Sequence, residues 1–215
     1  GTSNNRFLVV RLNANGTLDT TFDGDGIVTT AIGNTIAQAN SVAIQQDGKI
    51  LVGGTRNASI SSDPYLNRSG AVLRYNTDGT LDSTFGSGGI VSSLIGAEVT
   101  DIQVLSDGRI AFVSGQLYVR LQNGSPDLTF GTNGNTATGG TKFAVQPDGK
   151  IVVAANRFLS EQQSGMLQLS RFHPNGGVDN TFGDDGFVEV STNPFTPVAI
   201  AMQGSKILAV VAGAS

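Results

Sequence analysis

An all-β fold is predicted for this 215-residue chain by three observations. A pair of motifs recurs four times, β-rich segments are short and bounded by Asn-Gly or Asp-Gly turns, and no stretch shows a capped apolar period of 3.6 residues. Phe22, Phe85, Phe130 and Phe182 each follow a Thr and each precede a Gly by four residues, at steps of 63, 45 and 52 residues. Upstream of each lies a turn: Asn15-Gly16, Asp78-Gly79, Asn123-Gly124 or Asn175-Gly176. Between turn and Phe sits an acid: Asp19, Asp82, Asp127 or Asp179. The second motif alternates with the first as Asp47-Gly48-Lys49, Asp107-Gly108-Arg109, Asp148-Gly149-Lys150 and a degraded Gly204-Ser205-Lys206.

The segments around these turns read as strands a, b, c and d. Ser41–Gln45 and Lys49–Gly53 form an a–b hairpin across Asp47-Gly48, because such a turn supplies the positive φ that a tight connection needs. Ala71–Tyr75 and Gly89–Ser92 form a c–d pair around the longer turn through Asp82 and Phe85. Four short antiparallel strands per repeat describe a β-propeller blade. Val198–Met202, apolar on both faces, suits an inner strand held between neighbouring blades. The chain starts in a strand c, Phe7–Leu12, and finishes in a strand b, Ile207–Val211. Residues 1–215 are therefore expected to form one propeller domain of four blades, the fourth a composite of both termini, which would hide two sheet edges. The alternatives are one arc of a larger ring, or pairing with a copy of itself.

Composition narrows function. Only 14% of residues are charged, against about 25% in average proteins, and there is no Cys and one His. Disulfide scaffolds, thiol catalysis and Cys-ligated metals are excluded, as is any site that needs two imidazoles. A net charge of −4 argues against nucleic-acid binding. No apolar run approaches the roughly 18 residues of a membrane-inserting helix.

The runs Leu73-Arg74-Tyr75-Asn76-Thr77-Asp78-Gly79-Thr80-Leu81-Asp82-Ser83-Thr84-Phe85-Gly86 and Ala144-Val145-Gln146-Pro147-Asp148-Gly149-Lys150-Ile151 resemble the bacterial delta-60 repeat. The resemblance implies a β-propeller of unknown function in large secreted or cell-surface proteins. It brings no catalytic residues with it.

Repetition separates scaffold from site, since a ligand site rarely needs four equivalent copies. Arg11, Arg74, Arg120 and Arg171 recur, and each is expected to pair with the Asp of its own repeat; the Asp can also cap backbone amides as an Asx turn. The four phenylalanines are expected to be core plugs, and Lys49, Arg109, Lys150 and Lys206 solvated hairpin cations. The off-repeat charges cluster in or beside b–c and d–a connections, the longest being Thr55–Gly70. That face is expected to carry function. Asp101 and Lys142, each at the start of an inner strand, would anchor a ligand together with Glu98 and Arg56. Tyr65, Phe158 and Phe195 would offer stacking surfaces, a combination that suits a sugar. Asp23 and Asp25 are the candidate calcium ligands, although the second and third repeats lack the matching acids. His173 falls in a turn and reads as a surface residue. The expectation is a non-catalytic binding, adhesion or scaffold module outside the cell, monomeric or part of a larger chain, with carbohydrate or another surface protein as partner. A lectin-like domain is its sharper form, and a hydrolase using Glu98 with Asp101 the remaining alternative.

Overall fold

The computed structural model describes residues 6–32, 37–57, 68–95, 98–159, 164–191 and 195–213. Fifteen strands and no helix occur among them. The strands are β1 (Arg6–Val10), β2 (Ile27–Ala31), β3 (Ala37–Ile44), β4 (Ile50–Asn57), β5 (Arg68–Tyr75), β6 (Ile90–Ile95), β7 (Asp101–Val104) and β8 (Ile110–Ser114). They continue as β9 (Gln116–Arg120), β10 (Lys142–Val145), β11 (Ile151–Leu159), β12 (Ser164–Phe172), β13 (Phe187–Ser191), β14 (Phe195–Gln203) and β15 (Lys206–Gly213).

The chain divides into two compact units, residues 1–104 with 122–125, and residues 105–121 with 126–215. Unit 1 holds a complete antiparallel sheet in the order β3-β4-β5-β6, the expected a-b-c-d, and the two-stranded β1–β2. Unit 2 holds the matching sheet β10-β11-β12-β13, the β8–β9 hairpin and the two-stranded β14–β15. The repeat therefore folds as read. The β1–β2 and β14–β15 pairs are each two-stranded sheets.

Strands run further than the sequence suggested at the b–c side. Arg56 and Arg68, expected in a loop, belong to β4 and β5, where Arg56 faces Ser69 across the ladder. Arg157 and Phe158 likewise extend β11, and Phe195 begins β14. Extended pairing satisfies backbone donors and acceptors that a loop would have to leave to water.

Each unit has its own core. In unit 1, Phe7 and Phe22 pack with Val52, Leu73 and Tyr75. In unit 2, Phe130, Phe143 and Phe172 pack with Val113 and Val153. Complete burial of such a ring contributes about 2–3 kcal/mol. Phe22, Phe85 and Phe130 are buried as expected of plugs. Phe182 is the exception, half-buried beside Val188 and Ile207. Val198 departs in the same direction, standing exposed on β14 instead of being covered on both faces.

Candidate functional site

The repeated charges form braces inside each repeat. The Asp82 carboxylate accepts the Arg74 Nε–H and the Lys49 ammonium through one oxygen, both at 2.8 Å. Its other oxygen accepts the Thr84 amide at 3.0 Å and hydroxyl at 2.7 Å. Ion pairing and Asx capping, two separate expectations, are thus met by the two oxygens of one carboxylate. Asp179 repeats the scheme with Arg171 at 2.7 Å, Lys150 at 3.1 Å and Thr181. Asp19 does so with Arg11 at 2.8 Å and Thr21. Burial would raise the Asp82 carboxyl, but the bonds from Lys49 and Thr84, with the Arg74 charge, hold it well below the usual carboxylate range. The bond from Thr181, opposed by burial and joined by Lys150 and Arg171, holds Asp179 equally low. In these three repeats the strand-c guanidinium also lies over its plug ring, 4.6 Å from the Phe22 and Phe85 centroids and 4.5 Å from Phe182.

Two expectations are corrected here. Arg120 does not pair with Asp127; Arg109 does, at 2.9 Å. The Asp127 amide donates to the Val119 carbonyl, where the Asp82 amide donates to Arg74, so Val119 occupies the arginine slot of the third repeat. Arg120 lies one place later, over the rings of Tyr118 and Phe112, and burial lowers its pKa against the opposing effect of Tyr118. The hairpin cations Lys49, Arg109 and Lys150 are not merely solvated, since all three reach the Asp of the c–d turn.

The remaining predicted residues lie in different places. Asp101 opens β7 in unit 1, its carboxylate accepting the Ile102 amide at 3.0 Å. Lys142 opens β10 in unit 2, and Glu98 precedes β7. All three engage neighbouring groups. Arg56 donates to the Ser92 carbonyl at 3.4 Å. Tyr65 and the side chains of Phe158 and Phe195 lie outside the described residues. Asp25 caps the Ile27 amide at 2.8 Å, and Asp23 sits in the left-handed region at φ 54°. Among the described residues no three His, Asp or Glu side chains gather around a cation position. His173 stays partly exposed, 3.8 Å from the Asp179 carboxylate.

The structure adds a constellation that the sequence did not single out. In unit 2, Arg157, Gln168, Glu189 and Phe187 line a cleft of about 700 Å³ together with Thr138 and Asp184. Gln168 of β12 faces Glu189 of β13 across the ladder, while Arg157 reaches over from β11. The Glu189 carboxylate accepts Arg157 at 2.5 Å and the Gln168 amide at 2.9 Å. A carboxylate, a guanidinium and an amide thus converge beside a phenyl ring, all on strands rather than loops.

Three segments of the chain resemble a known family. Residues 1–22, 45–85 and 146–182 match the family model described as a domain of unknown function (DUF5122) beta-propeller. Those three segments are similar to β-propeller repeats. Among solved structures, these repeats are similar to the Neurospora crassa Pan2 WD40 domain at 13% identity and TM-score 0.46, over 87% of this chain and 50% of that one. A putative gluconolactonase matches at 12% identity and TM-score 0.47, over 87% of this chain and 61% of that one. Virginiamycin B lyase from Staphylococcus aureus matches at 11% identity and TM-score 0.33, over 96% and 85%. The propeller repeats thus span between half and about three fifths of the first two structures. No curated protein matches the chain in sequence.

Proposed function

We propose that these repeats form a non-catalytic binding and scaffold module of a larger secreted or surface-exposed bacterial protein. The proposal includes a composite blade, in which an a–b hairpin of the β14–β15 kind completes a c–d pair of the β1–β2 kind. One observation carries the reading. The charges of the turn motifs are spent on bracing, whereas Arg157, Gln168 and Glu189 stand outside those motifs and meet in an open cleft beside Phe187. A fixed carboxylate and amide offer directed acceptors and donors, and the phenyl ring offers an apolar face. That combination suits a polyhydroxylated ligand such as a carbohydrate.

A glycan array followed by calorimetry on the strongest hit tests this. Glu189→Ala removes the acceptor that orients both Arg157 and Gln168, and is expected to weaken binding at least tenfold while leaving the melting temperature within about 2 °C. Absence of any glycan hit, or a variant that binds as well as the wild type, overturns the reading.

A further inference from the structure

The sequence contains four Asn-Gly pairs: Asn15-Gly16, Asn123-Gly124, Asn133-Gly134 and Asn175-Gly176. Such a pair can react with itself, the glycine amide nitrogen attacking the asparagine Cγ. Glycine resists this least, because no Cβ shields its nitrogen or restricts its backbone. The four pairs are chemically alike, and all four asparagines are exposed. The fold treats one of them differently.

Three of the asparagines are clamped as Asx turns. The Asn15 Oδ1 accepts the Thr17 amide at 3.1 Å and hydroxyl at 2.7 Å. The Asn123 Oδ1 accepts the Ser125 amide at 3.0 Å and hydroxyl at 2.7 Å. The Asn175 Oδ1 accepts the Gly177 amide at 3.0 Å. Each bond ties the side chain to the residue beyond the glycine, and closing a ring onto the glycine nitrogen has to break it first.

Asn133 has no such clamp. Its side chain makes no hydrogen bond among the described residues. It sits at the end of the c–d turn that follows the plug Phe130, held at φ 55° in the left-handed region that side chains disfavour. Asp185 holds the matching place in the fourth repeat at φ 49°. The Gly134 amide donates to the Phe130 carbonyl at 3.0 Å. The Gly16 and Gly176 amides are engaged in the same way, by Asn13 at 2.9 Å and His173 at 2.8 Å. These glycines are therefore equally protected, and the asparagine side chain decides.

We propose that Asn133 is a site of spontaneous deamidation in the folded chain, reacting ahead of the three clamped asparagines. The Gly134 nitrogen gives its proton to hydroxide and bonds to the Asn133 Cγ. The Cγ–Nδ2 bond breaks, and Nδ2 takes up a proton and leaves as ammonia. Water then opens the succinimide ring. Attack at Cγ restores the ordinary peptide bond and leaves aspartate; attack at the main-chain carbonyl leaves isoaspartate, with the backbone routed through Cβ and Cγ. Either product adds a negative charge to a chain of net charge −4. Isoaspartate also lengthens the main chain by one atom beside Gly134. There even an added Cβ would lie 3.1 Å from the Val119 carbonyl and 3.2 Å from the Asp127 amide.

Ageing the full chain at about pH 8 and 37 °C, followed by peptide mapping in a mass spectrometer, reads the reaction. Trypsin leaves Asn123 and Asn133 on one peptide, residues 121–142, and fragmentation tells them apart. In the folded protein the gain of about 1 Da is expected at Asn133 about fivefold or more faster than at Asn15, Asn123 or Asn175. In concentrated urea the clamps are lost, and the four rates should converge to within about twofold. Asn133→Asp places at this turn the residue type that the fourth repeat carries as Asp185, and should abolish the fast phase of ammonia release. Asn133 reacting no faster than the clamped three, a lead that persists in urea, or a fast phase that survives Asn133→Asp overturns the proposal.

Discussion

The second and third repeats meet one requirement with cations from different strands. In the second, Asp82 holds Arg74 from strand c and Lys49 from the a–b hairpin, and Arg74 also reaches the next turn at Gln122. In the third, Val119 fills the strand-c slot, and Arg109 from the hairpin reaches both Asp127 and the Pro174 carbonyl. The carboxylate and its Thr are retained while the donor's position is not. What the blade requires is a neutralised acid at the c–d turn and a cation long enough to touch the following turn. A guanidinium can do both at once because it offers five donors in a fixed fork; an ammonium on the same hairpin, Lys49, serves only the acid.

The comparison is broken most severely from the acid side. Asp82→Ala strips the Arg74 guanidinium, whose side chain is 7% exposed, of its counter-charge and leaves Lys49 unpaired as well. Removing one member of a buried pair costs about 3 kcal/mol or more, which urea denaturation should resolve. A smaller effect sharpens the contrast between the repeats. Arg109→Met removes the one cation that pairs with Asp127 among the described residues, together with the bond to Pro174, and is expected to cost about 2 kcal/mol. Lys49→Met leaves Arg74 in place and should cost under about 1 kcal/mol. Equal losses in the two variants would mean that the third repeat is not singly braced.

The third repeat also shows where the sequence stopped being legible. The turns, plugs and hairpins could be read because Gly and Asp mark them at fixed offsets. Arg120 was assigned by residue type, as the nearest arginine on strand c. Counting four residues back from the turn gives Arg11, Arg74 and Arg171 in three repeats and Val119 in the third, so the spacing held the answer. Arg109 was hidden by the assumption that hairpin cations face water; only the fold shows that the a–b and c–d turns of a repeat lie side by side. The unit 2 cleft was out of reach for a related reason. Gln168 and Glu189 are ordinary strand residues until ladder register puts them opposite one another and within reach of Arg157.

The smallest expected effect concerns acid and tests how Arg109 works. Burial would raise the Asp127 carboxyl, but Thr129 and Arg109 together hold it below its ordinary 3.8. The folded protein therefore binds fewer protons at this group than the unfolded chain does. Stability from the pair is complete above about pH 5 and drains away as pH falls through 3.8 toward the folded value. Arg109→Met lets the Asp127 carboxyl rise toward its ordinary value, so the variant has less of this contribution to lose. The stability gap between wild type and Arg109→Met, followed by thermal melts from about pH 6 to pH 3, should therefore narrow on the acid side by a few tenths of a kcal/mol. A gap that stays constant would assign the work of Arg109 to the Pro174 carbonyl and to packing. In that case the second and third repeats would differ in mechanism and not only in which strand supplies the cation.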